Sequence, residues 1–186
     1  MNSMSRGYND CNRRDREDEK KCPNRDREDE KKCPTIIKCG CPSSTQILVT
    51  AAAPTATEVV TSVNVDNSCI CDPITKLEFA TIISTVANGF AGTVIIRVFK
   101  QCERRITRVN VGPVWTLNIA ANSTVPLSFF ICDSDSREND GCTYTVEATI
   151  TANASGSGIV TFNNATLGAI STCKNSCHKC RRDEDR

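Results

Sequence analysis

Thr143-Tyr144-Thr145-Val146-Glu147-Ala148-Thr149-Ile150 alternates with a period of two. Tyr144, Val146, Ala148 and Ile150 share one face, and Thr143, Thr145, Glu147 and Thr149 the other, as in a strand with one side against a core. The same texture runs from about Gln46 to Thr172. Gln46–Thr50, Glu58–Val65, Leu77–Val86, Thr93–Phe99, Val114–Ile119, Val125–Cys132 and Gly158–Phe162 are rich in Val, Ile, Thr and Phe, which suit a pleated, half-buried surface. Within Thr93–Phe99, Val94, Ile96 and Val98 fall on one face and Ile95, Arg97 and Phe99 on the other. Turn material separates the runs at Asn88-Gly89, Val111-Gly112-Pro113, Ala121-Asn122-Ser123, Glu138-Asn139-Asp140-Gly141 and Ala154-Ser155-Gly156-Ser157-Gly158. About eight strands at short spacing, with no long amphipathic helix, predict an all-β, jelly-roll-like antiparallel sandwich.

Charge divides the 186 residues into three parts. Residues 1–42 hold 11 Lys/Arg and 9 Asp/Glu, residues 43–172 hold 7 and 10, and residues 173–186 hold 5 and 3. The reading is a charged N-terminal arm or connector (1–42), a sandwich core (43–172) and a Cys-rich charged tail (173–186). The ends are too poor in large apolar side chains to offset the entropy of ordering themselves. The arm contains RDREDEKKCP twice, at 14–23 and 25–34, which reads as a tether presenting thiols at regular intervals. A net charge of +1 gives no basic face for nucleic acid. No apolar run is long enough to cross a bilayer, and MNSMSRGYNDC has no apolar signal-peptide core. A single His and no G-x-S-x-G elbow argue against an enzyme, and no cofactor is expected.

Thirteen cysteines are the other outlying number. An odd count leaves a thiol without an intrachain partner, which points to intermolecular bonding or a reactive thiol. Cys11, Cys22, Cys33, Cys39 and Cys41 lie in the arm and Cys173, Cys177 and Cys180 in the tail. These eight are read as intersubunit disulfide candidates. Cys69, Cys71, Cys102, Cys132 and Cys142 lie in the body and are read as receivers. Thr-rich strands with few charges, and nothing obvious to blunt the sheet edges, favour strand addition between copies.

The competing chemistry is metal. Cys173, Cys177, His178 and Cys180 carry the ligand types of a Cys3His zinc site, although adjacent Cys177-His178 is unusual for tetrahedral ligation. A thiol-based redox role and a carbohydrate-binding sandwich are further alternatives. Asp133/Asp135 and Glu138/Asp140 read as an acidic, solvated loop, Arg104, Arg105 and Arg108 as an exposed strand or hairpin, and Trp115 as core.

Taken together, a Cys-bearing connector followed by passages such as CTYTVEATITANASGSGIVTFNNATLGAIST (142–172) resembles the endospore appendage proteins, fibre subunits on spores of Bacillus-type bacteria. That resemblance implies a jelly-roll body, copies that augment one another's sheets, and connector disulfides to subunits further along the fibre. Carried over, Ile37, Cys39 and Cys41 would form the hook, with Cys102, Cys132 or Cys142 receiving it. Cys39-Gly40-Cys41 departs from the family's Cys-Cys pair, and the repeat arm and the tail are additions to it. The expected role is a self-assembling subunit of a spore-surface fibre, or its anchor or cap. Another Cys-rich coat or exosporium protein is the alternative. Its partners would be further copies or other spore-surface subunits, with no nucleic acid or membrane. It would be made in the mother-cell cytosol and meet oxygen after lysis.

Overall fold

Two antiparallel sheets face each other in the computed structural model, which describes residues 33–68, 70, 72–86, 91–103, 107–134, 141–153 and 157–174. Among these residues the strands are β1 (Ile36–Cys39), β2 (Ser43–Val49), β3 (Thr55–Asp66), β4 (Pro73–Thr85), β5 (Gly92–Cys102), β6 (Val109–Ile119), β7 (Thr124–Asp133), β8 (Gly141–Ala152) and β9 (Gly158–Cys173). One sheet runs β1-β9-β4-β7, with β2 also pairing β9, and the other runs β3-β8-β5-β6.

The pairs β2–β9, β3–β8, β4–β7 and β5–β6 are those of one long hairpin. Rolling that ribbon brings β9 beside β4 and β8 beside β5, which is the jelly-roll wrap. Alternation decides which side each residue faces. Leu77, Phe79, Ile83, Val160, Phe162 and Leu167 of the five-stranded sheet belong to one core cluster with Val94, Ile96, Val98, Tyr144, Val146 and Ile150 of the other. Each such side chain contributes roughly 1.5–3 kcal/mol on burial.

Three features differ from the sequence reading. First, Ile36–Cys39, assigned to the connector, is a strand along β9, with Ile37 opposite Ile170 and Cys39 opposite Gly168. β1 is thus part of the five-stranded sheet. Second, β9 continues past Phe162 to Cys173. Asn163-Asn164 looks like a stop, but Asn164 sits at φ 51°. It forms a bulge, so Phe162 and Ala165 both point inward. Third, Val111-Gly112-Pro113 lies inside β6. Gly112, at φ +73°, helps set three residues against Arg97, and an added Cβ would stand 2.8 Å from Ile131 Cγ2. The edges are also less open than expected: β6 carries Pro113 and β7 carries Pro126, which donate no backbone hydrogen bond.

Candidate functional site

The outward face of the five-stranded sheet gathers the two cysteines that are free among the described residues, Cys39 and Cys132, both exposed. Register places them in adjacent cross-sheet rows. One row reads Ile37, Ile170, Lys76, Cys132, and the next reads Cys39, Gly168, Glu78, Phe130. Ile37 and Phe130 are each 67% exposed. Between the thiols, Lys76 pairs with Glu78 at 2.5 Å and lies 5.3 Å from the Phe130 ring centroid. The Lys76 ammonium is held above its ordinary pKa, first by its hydrogen bond to the Glu78 carboxylate and then by that carboxylate's negative charge.

These thiols sit at opposite margins of the sheet. Among the described residues β1 pairs only β9, and β7 pairs only β4. Three strand spacings of about 4.8 Å separate them, so their Cα atoms are roughly 15 Å apart. A disulfide tolerates no more than about 7 Å. Cys39 and Cys132 of one chain therefore cannot bridge each other while the sheet is intact.

Other cysteines do bridge within the chain, and this corrects their assignment. Cys33, expected to face another subunit, is bonded to Cys173 with Cα atoms 5.8 Å apart. Cys173 is the last residue of β9 rather than the first of the tail, so the bridge closes the sandwich where the chain enters and leaves it. Cys102 and Cys142, expected as receivers, are bonded to each other. They stand directly opposite on β5 and β8, where side chains approach closely enough for a cross-strand bond. Cys41 is disulfide-bonded as well. Bridging consumes the thiolate that Cys173 would offer zinc. Among the described residues no group of three or more His, Cys, Asp or Glu is placed to hold a metal ion. Cys11, Cys22, Cys69, Cys71, Cys177, His178 and Cys180 lie outside the described residues, as do Asp135, Glu138, Asp140, Arg104, Arg105 and the repeat through residue 32.

Asp133 also moves. Read as loop, it is the final inward residue of β7 and only 6% exposed. Lys100 Nζ donates to its Oδ2 at 2.7 Å, and Tyr144 Oη donates to the same oxygen at 2.8 Å. Lys100 is 3% and Tyr144 0% exposed. The signal for Lys100 was present in the sequence, since continuing the Val94, Ile96, Val98 alternation puts Lys100 on the core face. Arg108 pairs with Glu147 at 2.6 Å and covers the Phe99 ring at 3.9 Å. Trp115 stacks on Phe129 at 3.8 Å against the core.

Residues 33–172 match the profile of a domain of unknown function, DUF4489. The chain belongs to the DUF4489 family. The matched span covers the whole sandwich, from Cys33 to the residue before Cys173, and the family's description assigns no activity. No curated protein matches the chain.

Solved structures with some likeness include a structure of infectious bursal disease virus, Gx strain. It is 10% identical with TM-score 0.47, over 80% of this chain and 34% of that one. The chain thus spans about a third of the viral protein's length. The CBM28 carbohydrate-binding module specific for non-crystalline cellulose is 11% identical with TM-score 0.38, over 67% and 73% of the two chains. The Eiger TNF protein of S. frugiperda is 10% identical with TM-score 0.39, over 81% and 99%.

Proposed function

We propose that the protein is a structural, self-assembling subunit whose copies add edge to edge along the five-stranded sheet and are locked by a Cys39–Cys132 disulfide between neighbours. One observation carries this reading: two exposed thiols stand on opposite marginal strands of one sheet, too far apart to meet within a chain. Strand directions suit it. β1 and β4 both run antiparallel to β9, and β7 runs antiparallel to β4. A second copy in the same orientation therefore lays its β1 antiparallel to β7. A slide of two residues, about 7 Å, brings Cys39 opposite Cys132, the relation Cys102 and Cys142 already have inside the molecule. Pro126 lies in the other half of β7 and leaves the Ser128–Cys132 half able to donate. A head-to-tail contact of this kind repeats into a ring or a filament.

The resemblance in sequence supports a spore-surface fibre, its anchor or its cap as the setting, with another coat or exosporium protein as the alternative. Both use the same contact. The test is a gel of protein in which Cys11, Cys22, Cys177 and Cys180 are changed to serine, so that none of these four supplies a link. After oxidation a ladder beyond dimer is expected without reductant and a single band with it. Cys39→Ser or Cys132→Ser alone should abolish the ladder, and mixing the two variants should give dimers and nothing larger. A monomer in every lane would end the reading, and dimers from Cys39→Ser alone whose linked peptide maps to Cys132 on both sides would replace it with a symmetric Cys132 contact.

A further inference from the structure

The polar group in the core concerns a different bond. Lys100, Asp133 and Tyr144 come from β5, β7 and β8, and the Lys100–Asp133 contact crosses from the four-stranded to the five-stranded sheet. Burying both charges costs several kcal/mol per ion, offset only by close pairing and hydrogen bonding. The pair is also a set of reactants. An amine and a carboxyl held in contact, out of water, are the two halves of an amide.

We propose that Lys100 and Asp133 condense to an intramolecular isopeptide bond that ties the two sheets together. Transfer of one proton along the 2.7 Å contact turns the ammonium and carboxylate into a neutral amine and a carboxylic acid. The Nζ lone pair then attacks Cγ and forms the N–C bond. The bond from Cγ to Oδ2 breaks, and Oδ2 departs as water. That water takes the proton first transferred and a second one given up by the nitrogen after attack. Tyr144 Oη, hydrogen-bonded to Oδ2 at 2.8 Å, relays the second proton and ends as it began. Three protons on the ammonium become one on the amide and two on the water, charge is zero throughout, and no oxidant, reductant or co-reactant is required.

The geometry supplies what an uncatalysed condensation lacks. Lys100 Nζ stands 2.7 Å from Oδ2, an oxygen bonded to the carbon it attacks, so the two reacting groups are already in contact and a bimolecular encounter is replaced by a unimolecular one. Near-complete burial of all three residues excludes the water that would hydrolyse the product. The product also removes two buried charges. Lys100 lies two residues from Cys102, and Tyr144 two from Cys142. The amide would therefore join a disulfide at the same end of the sandwich, one bond within a sheet and one between sheets.

Intact mass of the full chain, reduced and alkylated, tests this directly. The folded protein should weigh one water less than its sequence, and digestion should yield a branched peptide joining the segments around Lys100 and Asp133, uncleaved by trypsin after Lys100. Lys100→Arg and Asp133→Ala should each restore the full mass. Asp133→Asn should lose ammonia in place of water, because the same attack expels the amide nitrogen. Tyr144→Phe keeps the ring in the core and should slow bond formation after refolding by roughly a hundredfold or more, the size of a general acid–base contribution. A wild-type protein that is folded by circular dichroism yet keeps its full mass after prolonged incubation overturns the proposal, whatever the variants do. So does a water loss mapped to any other pair.

Discussion

Removing the Cys33–Cys173 bridge is the most informative perturbation of stability. The bridge spans 140 residues, so in the chain-entropy description it restricts the unfolded state by about 5 kcal/mol. The Cys102–Cys142 bridge spans 40, and the same relation gives it about 4 kcal/mol. Cys173→Ser is the cleaner variant, because Cys22 lies in the same decapeptide as Cys33 and would stand ready to replace it. Native domains are stable by only about 5–15 kcal/mol, so a loss near 5 kcal/mol takes a large share. At a guanidinium slope of roughly 2–6 kcal/mol/M, the unfolding midpoint should fall by about 0.8–2.5 M. The assay is equilibrium unfolding followed by Trp115 fluorescence, with and without reductant. In a background where Cys102 and Cys142 are serine, the reduced parent and reduced Cys173→Ser should share one midpoint. Identical midpoints for the parent and Cys173→Ser under oxidising conditions would refute the assignment, and would return Cys33 and Cys173 to the pool of thiols that join different chains.

Further outcomes follow from single sites. Gly112→Ala should destabilise by about 1–3 kcal/mol, read as a lower midpoint, since it combines a positive φ with a contact on Ile131. Asn164→Gly should leave stability within a few tenths of a kcal/mol, whereas Asn164→Val, β-branched at φ 51°, should cost more than 1 kcal/mol. Phe130→Ser changes an exposed ring, and should weaken edge-to-edge association in sedimentation experiments without moving the melting temperature. The Lys76 ammonium is held above its ordinary value of 10.5 chiefly by Glu78. Glu78→Gln should therefore lower the Lys76 titration midpoint observed by NMR, and an unchanged midpoint would show that the pair does not form in solution.

How much of this was legible depends on where the signal lies. Thr143–Ile150 and Thr93–Phe99 announce strands because apolar and polar residues alternate without interruption, and both faces fell as expected. Ile36–Cys39 was obscured by its neighbours. Four residues in a charged arm carry too little periodicity to stand out, and only the long β9 gives them a partner. β6 extends beyond Val114–Ile119 because Gly112-Pro113, a turn dipeptide by composition, serves as a bulge inside the strand, and β9 extends beyond Phe162 through a bulge at Asn163-Asn164. Asp133 was read as loop because an acid beside Asp135 and Arg137 looks solvated. Its burial depends on Lys100 and Tyr144, from strands far away in sequence. The sulfur pairing was not legible at all. Spacing does not determine connectivity, and Cys33 meets Cys173 only because β1 and β9 lie side by side.

The account rests most heavily on Cys39 and Cys132 meeting across a boundary between copies. The direct measurement mixes reduced nitrogen-14 and nitrogen-15 protein in equal parts, oxidises the mixture, and maps disulfide-linked peptides by mass spectrometry. The Cys39–Cys132 peptide is expected in mixed-isotope as well as single-isotope forms, while the Cys33–Cys173 and Cys102–Cys142 peptides stay single-isotope. A map in which Cys39 and Cys132 remain thiols, or in which their link carries one isotope alone, would contradict it.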